Sequence, residues 1–204
     1  MGLRHVLTLS LVSMPIACGA RADSLADEIG EIHHVDDELA ARGGEMRAPD
    51  LARRSARLKQ TAIDHAIVTY GINVRAVPMG VHYAPHGRMR DREGATILDR
   101  DGTVRVQIGD LAFASAGWLG STIAHEVEVH VNRQIAMGRH APASDEEGAS
   151  IEEIEAYDFE IASQGRFGIR PDEEKLVHRR RMAFYLKLQS ENRSRVDSGV
   201  YVKW

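Results

Sequence analysis

Residues 125–130 read HEVEVH, and these polar side chains stand inside an otherwise apolar segment. Ile123 and Ala124 precede them and Val131 follows, which predicts a largely buried helix. Buried imidazole and carboxylate groups need partners, and a metal ion can supply one. The two histidines are five residues apart, so a regular α-helix places them about 140° apart around its axis. Whether they can act together depends on the local helical geometry.

Two geometries fit this spacing. A one-residue π-bulge between Glu126 and His130 brings both imidazoles onto one face, and such bulges concentrate at functional sites. A regular helix instead pairs Glu126 with His130, four residues apart, and makes Glu126 a metal ligand rather than a base. We favour the bulge, in which His125 and His130 are the ligands.

The widened spacing has a precedent in a known zinc peptidase family. The common zincin signature is His-Glu-x-x-His, one residue shorter. Residues 125–130 resemble the His-Glu-x-x-Gly-His helix of dipeptidyl peptidase III, with Val129 in place of the glycine. The resemblance implies that Zn²⁺ is held by the two histidines and a downstream glutamate, and that Glu126 takes a proton from a zinc-bound water.

Composition indicates one exported domain. The 204 residues are 43% hydrophobic and carry a formal charge of −4, which does not suggest a nucleic-acid surface. Residues 1–22 predict a signal peptide, whose apolar run from Val6 to Ala17 is too short to span a membrane, so we expect a secreted or periplasmic protein. The only cysteine, Cys18, would leave with this segment. The minority alternative is a lipoprotein anchored at Cys18.

The mature chain, residues 23–204, is expected to form a single α+β domain. Residues 23–71 predict a helical scaffold and 72–110 a small antiparallel sheet, with a hairpin that turns at 99–102. Residues 115–192 predict the metal-site helices, at about 115–137, 151–161 and 171–192. A short edge strand is predicted at 200–204.

The third ligand is expected on the helix 151–161, which a loop connects to the histidine helix. Glu155 is preferred because Ala156 beside it allows close packing, and Glu152 is held in reserve. Asp158, one turn on, is a candidate for orienting a ligand histidine. Tyr157, His178 or His82 could donate a hydrogen bond to an oxyanion, although such residues are more often structural.

The order of elements from 103 to 161 resembles the core of the gluzincins, zinc peptidases with a His, His, Glu site. In that family the strand before the metal helix holds an extended peptide by edge pairing, which implies this role for residues 104–108. The segment from 117 onward also resembles small metallopeptidase-like domains at the ends of bacterial polymorphic-toxin proteins.

These patterns predict a secreted zinc-dependent metallohydrolase, expected to be a peptidase with a peptide or protein substrate. The alternative is a non-catalytic envelope or toxin-associated binding module with a structural or vestigial metal site. Three ligands with an open position favour the enzyme, whereas a closed shell of four favours the structural site.

Overall fold

The structure is a computed structural model that describes residues 16–89, 91–99, 101–133 and 146–199. Helices dominate the described chain, and three short strands form one sheet. The helices are α1 (Ile16–Ala41), α2 (Pro49–Thr69), α3 (His86–Met89), a 3₁₀ helix (Asp110–Ala114), α4 (Ala116–Ala124), a π-helix (His125–Arg133), α5 (Glu146–Ala162), α6 (Gln164–Phe167), α7 (Pro171–Tyr185) and α8 (Ser190–Asp197). The strands are β1 (Val81–Tyr83), β2 (Gly94–Leu98) and β3 (Val104–Ile108). The predicted α+β class, with a small sheet flanked by helices, is confirmed.

The first two helices form the predicted scaffold. Their apolar residues recur at steps of three and four, so each helix buries one stripe. Leu25 and Ile32 of α1 and Ile63 and Ala66 of α2 are fully buried in the main core. That core also contains Leu119 and its neighbours on α4, so the scaffold packs directly against the helix that leads into residues 125–130.

The sheet has the order β1-β3-β2, so β3 is its central strand. β2 and β3 form the predicted hairpin, with Leu98 opposite Val104. β1 pairs with β3 in parallel, so the sheet is mixed rather than purely antiparallel. The expectation that residues 104–108 offer a free edge is therefore wrong, because β3 has partners on both sides.

The outer side of β1 is covered by a side chain of α2. The Gln60 amide donates to the Val81 carbonyl at 3.1 Å and accepts from the Tyr83 N–H at 2.9 Å. This amide replaces a neighbouring strand and satisfies both backbone groups. Among the described strands, β2 is consequently the edge left open to a further chain.

The structure differs from the sequence predictions at two further places, and some predictions lie outside the described residues. The alternating residues 72–76 form no strand. They belong to a loop that buries the side chains of Ile72 and Val77 in the core. The single helix predicted over 171–192 is two helices, separated by a break at 186–189. The predicted strand at 200–204 and most of the predicted signal lie outside the described residues, although α1 already includes residues 16–22. Within the described part of the chain, no helix combines the length and apolar character needed to cross a membrane.

A close contact fixes α4 against the end of α2. A Cβ on Gly120 would lie 2.3 Å from the Tyr70 ring, so only glycine allows this approach. We expect Gly120→Ala to lower the free energy of unfolding by about 1–3 kcal/mol through overpacking. Gly30 is exposed on α1 with open space around it, so Gly30→Ala should raise stability by about 0.5–1 kcal/mol. Denaturant unfolding of both variants tests this, and a neutral Gly120→Ala would contradict it.

Candidate metal centre

The helix that carries the two histidines changes its winding at the first of them. Ser115 caps α4 by accepting the Trp118 N–H at 3.0 Å, and every residue from Gly117 to Ala124 is buried. A π-helix follows from His125 to Arg133. Its i→i+5 hydrogen bonds give about 4.4 residues per turn, so residues five apart lie about 50° apart around the axis. The structure thus has the favoured geometry, extended from a single bulge to a nine-residue segment.

Both imidazoles and one carboxylate converge on a single point. The Nε2 atoms of His125 and His130 are 3.1 Å apart. Glu153 of α5 places Oε2 3.6 Å from His125 Nε2 and Oε1 3.7 Å from His130 Nε2. A tetrahedral ion with 2.0–2.1 Å bonds to nitrogen separates its ligand atoms by about 3.3 Å. These three side chains could therefore hold a metal ion.

The glutamate in this group is Glu153, not Glu155 or Glu152 as the sequence suggested. In an α-helix Glu155 lies about 200° around the axis from Glu153 and Glu152 about 100° from it, so neither shares its face. Glu155 and Glu152 are both buried, and only Glu152 lines the cavity beside the histidines. The sequence predicted a helix with a glutamate near the two histidines, but it did not predict the rotation of that helix.

A second carboxylate on the same face holds the first histidine. Glu160, two turns after Glu153, accepts a hydrogen bond from His125 Nδ1 at 2.7 Å and one from the Ser121 hydroxyl at 2.8 Å. Such a bond fixes the ring and leaves Nε2 for the metal. Asp158, which the sequence suggested for this role, binds the Arg181 guanidinium at 2.5 and 3.1 Å. The seven-residue spacing from Glu153 is the signal that could have indicated Glu160.

The pKa shifts within the group favour an ion pair between His125 and its carboxylate neighbours. Burial lowers the pKa of His125, but hydrogen bonds to Glu153 and Glu160 outweigh this and hold the pKa well above its ordinary value. Burial raises the pKa of Glu153, yet His125 reverses the effect and keeps the pKa below its usual range. An ionised Glu153 can balance the charge of a cation beside it, either a protonated His125 or a metal ion.

The Glu126 carboxylate lies against strand β2 of the sheet. The Thr96 hydroxyl of β2 lies 2.8 Å from Glu126 Oε2 and 3.2 Å from the Glu126 carbonyl oxygen. A Cβ on Gly94 would lie 2.7 Å from Glu126 Cγ, so the glycine makes room for this side chain. Glu126 is buried at the wall of the same cavity as the ligands. Glu126 is therefore not a member of the three-residue group, although it lines the same cavity.

The cavity has a volume of about 800 Å³, and His125, His130, Glu153 and Glu126 all line it. Tyr157 lines it too, with its ring edge-on to His125 at 5.1 Å between centroids. Burial raises the pKa of the Tyr157 hydroxyl, so the group stays protonated at neutral pH and can donate.

The other two suggested donors lie outside this cavity. His178 is exposed and 3.8 Å from Glu174 Oε1, whereas His82 contacts the Met79 carbonyl. Of the three side chains considered as oxyanion donors, the structure thus brings only Tyr157 to the candidate centre.

Comparisons of this chain with protein-family models, curated proteins and solved structures find no match. The gluzincin and toxin-domain resemblances consequently stay predictions, and function must follow from the geometry of the site.

The choice of third ligand can be tested with two isosteric variants of α5. Glu153→Gln should weaken metal binding by at least 10- to 100-fold, because it removes an anionic ligand. Glu155→Gln changes a buried carboxylate of the same helix on the opposite face and should have a smaller effect. Competition with a chelator measures both metal affinities. A larger loss of affinity in Glu155→Gln than in Glu153→Gln would make Glu155 the ligand.

Proposed function

We propose that this protein is a zinc-dependent metallohydrolase that cleaves peptide bonds. The observation that supports this most is a three-donor group, His125, His130 and Glu153, that opens into a cavity. A catalytic zinc site has three protein ligands and keeps one position for water or substrate, whereas a structural site is closed by a fourth. Among the described residues the group has three members, which favours the catalytic kind.

The donor set is compatible with zinc. Two imidazole nitrogens and one carboxylate form a borderline-soft set that Zn²⁺ accepts, and Glu160 supplies the carboxylate–histidine contact usual for such ligands. Two histidines and one carboxylate also bind Fe²⁺ in oxygenases, so the metal must be identified experimentally. Glu126 beside the group favours hydrolysis, because that chemistry needs a base at this place.

In this proposal each residue of the site has a separate role in the reaction. A bound Zn²⁺ would supply Lewis acidity, which acidifies a water and polarises a carbonyl group. Glu126, held by Thr96, would accept the proton of the attacking water and return it to the leaving amine. Tyr157 would donate a hydrogen bond to the oxygen on which negative charge develops. Glu160 would keep the His125 ring in place throughout.

A peptide substrate is favoured by the strand at the cavity wall. Gly94, Ala95 and Thr96 of β2 line the cavity, and β2 is the open edge of the described sheet. An extended peptide can pair with such an edge through its backbone, which gives affinity with little dependence on side chains. The position of Thr96 would bring that peptide next to Glu126. In this proposal β2 takes the role that the sequence assigned to residues 104–108.

Metal content is the first test of this proposal. We expect about one zinc ion per chain in protein purified without added metal, and its loss in His130→Ala, which removes one of three ligands. Elemental analysis of both proteins gives the answer. Purified wild-type protein without a stoichiometric metal would rule the hydrolase out, and stoichiometric iron would replace hydrolysis with oxygen chemistry.

The second test separates the base from the ligands. Glu126→Gln should keep the zinc and lower hydrolysis of a fluorogenic peptide library by about 10²- to 10⁴-fold, the usual contribution of general base catalysis. Glu31→Gln alters a surface carboxylate bound to Arg54 and should change neither quantity. Loss of zinc in Glu126→Gln would instead make Glu126 a ligand. Zinc binding without any hydrolysis by the wild type would favour the non-catalytic module.

A further inference from the structure

We propose that Arg166 is a positioning residue for the metal centre, because it holds residues 125–133 in the π-helical register. This inference rests on the proposed metal function. Arg166 belongs to the short helix α6 and lies on the side of the π-helix away from the cavity. It contacts neither the three ligands nor Glu126, so any influence on the metal must pass through the helix.

Arg166 joins the π-helix to the end of α2. Its two terminal nitrogens donate to the two carboxylate oxygens of Glu128 at 2.7 and 2.8 Å. The same guanidinium donates through Nε and Nη2 to the Tyr70 carbonyl oxygen at 3.1 and 2.8 Å. A paired fork of this kind requires one orientation of both groups, so it constrains geometry as well as energy. The Glu128 side chain is 19% exposed and the Arg166 side chain 34% exposed, so the geometry of the fork matters more here than its Coulomb energy.

The position of Glu128 depends on how the helix is wound. Three residues after His125, it lies about 245° around a π-helix but about 300° around an α-helix. Return to the α form would therefore swing Glu128 by about 55° and break the fork with Arg166. The same change would move His130 from about 50° to about 140° away from His125. The ion pair and the ligand pair thus require the same register.

Close packing surrounds the Tyr70 residue to which Arg166 donates. The Tyr70 ring packs edge-on against Phe167 at 5.3 Å between centroids, and it also lies against Gly120 of α4. Farther along the π-helix, the Asn132 amide donates to the Asn73 carbonyl at 2.9 Å. Tyr70 and Asn73 both follow α2, so the scaffold holds the outer face of the π-helix at two points. Of these two contacts, the one through Arg166 includes an ion pair, with Glu128.

Arg166→Gln tests the role of this contact on the purified full chain. We expect its zinc dissociation constant, measured by chelator competition, to rise at least 10-fold, and the visible spectrum of its Co²⁺ form to change. Arg166→Lys keeps the charge but cannot form the fork. Its zinc dissociation constant should therefore lie between those of the wild type and Arg166→Gln. A double variant with Glu128→Gln should lose no more affinity than Arg166→Gln alone, because both changes remove the same contact.

Arg54→Gln is the control for general loss of stability. Arg54 pairs with Glu31 between α1 and α2, remote from the metal centre, at 2.9 Å. This variant should keep the wild-type zinc affinity and Co²⁺ spectrum. Unchanged zinc affinity in Arg166→Gln, or a loss fully additive with that of Glu128→Gln, would overturn the inference.

Hydrogen exchange separates this inference from the proposed function. In metal-free Arg166→Gln, we expect the amides of residues 125–133 to exchange at least 10-fold faster than in the metal-free wild type. The amides of α2 should exchange at the same rates as in Arg54→Gln. Wild-type protein that binds no metal would end the hydrolase proposal, and the exchange rates would still decide the role of Arg166. Equal exchange over 125–133 in all three proteins would overturn that role.

Discussion

The winding of residues 125–133 is the constraint on which the candidate site depends. Only the wider turn brings His125 and His130 together, with their Nε2 atoms 3.1 Å apart. Once they share a face, Glu153 on the neighbouring helix is close to both rings. The same winding sends Glu126 toward β2 and Glu128 toward Arg166. One local change of pitch thus directs two histidines to the candidate metal group, Glu126 to the sheet and Glu128 to Arg166.

A π-helix is rare because its hydrogen bonds are less favourable than those of an α-helix, so its environment must compensate. Thr96 contacts the Glu126 backbone on the sheet side, and Arg166 binds Glu128 on the outer side. Inside, the Glu160 carboxylate is almost fully buried, and the Glu153 carboxylate is partly buried, with 32% of its side chain exposed. A cation between them and the histidines would offset their desolvation. On the proposed function, metal binding and the unusual helix therefore stabilise each other.

How far the sequence predicts this site depends on the range of the interactions. Spacing along one segment identified His125, Glu126 and His130 and indicated the π geometry, because these relations are local. The third ligand depends on the rotation of α5, and Ala156 misled the choice because this helix is buried on several sides. Arg166 and Glu128 are 38 residues apart, and nothing in their local sequences links them. Contacts between elements require the packed structure.

The scaffold also decides which strand borders the cavity. Lys59 of α2 is almost fully buried and binds Asp36 at 2.7 Å and Asp110 at 2.6 Å, which joins α1, α2 and the 3₁₀ helix after β3. Gln60, the next residue, occupies the outer edge of β1. Because β1 is closed on that side and pairs with β3 on the other, β2 is the one described strand beside which an incoming strand can add. That edge contains Thr96, the residue that holds Glu126, so the scaffold that closes one side of the sheet leaves open the side next to the candidate base.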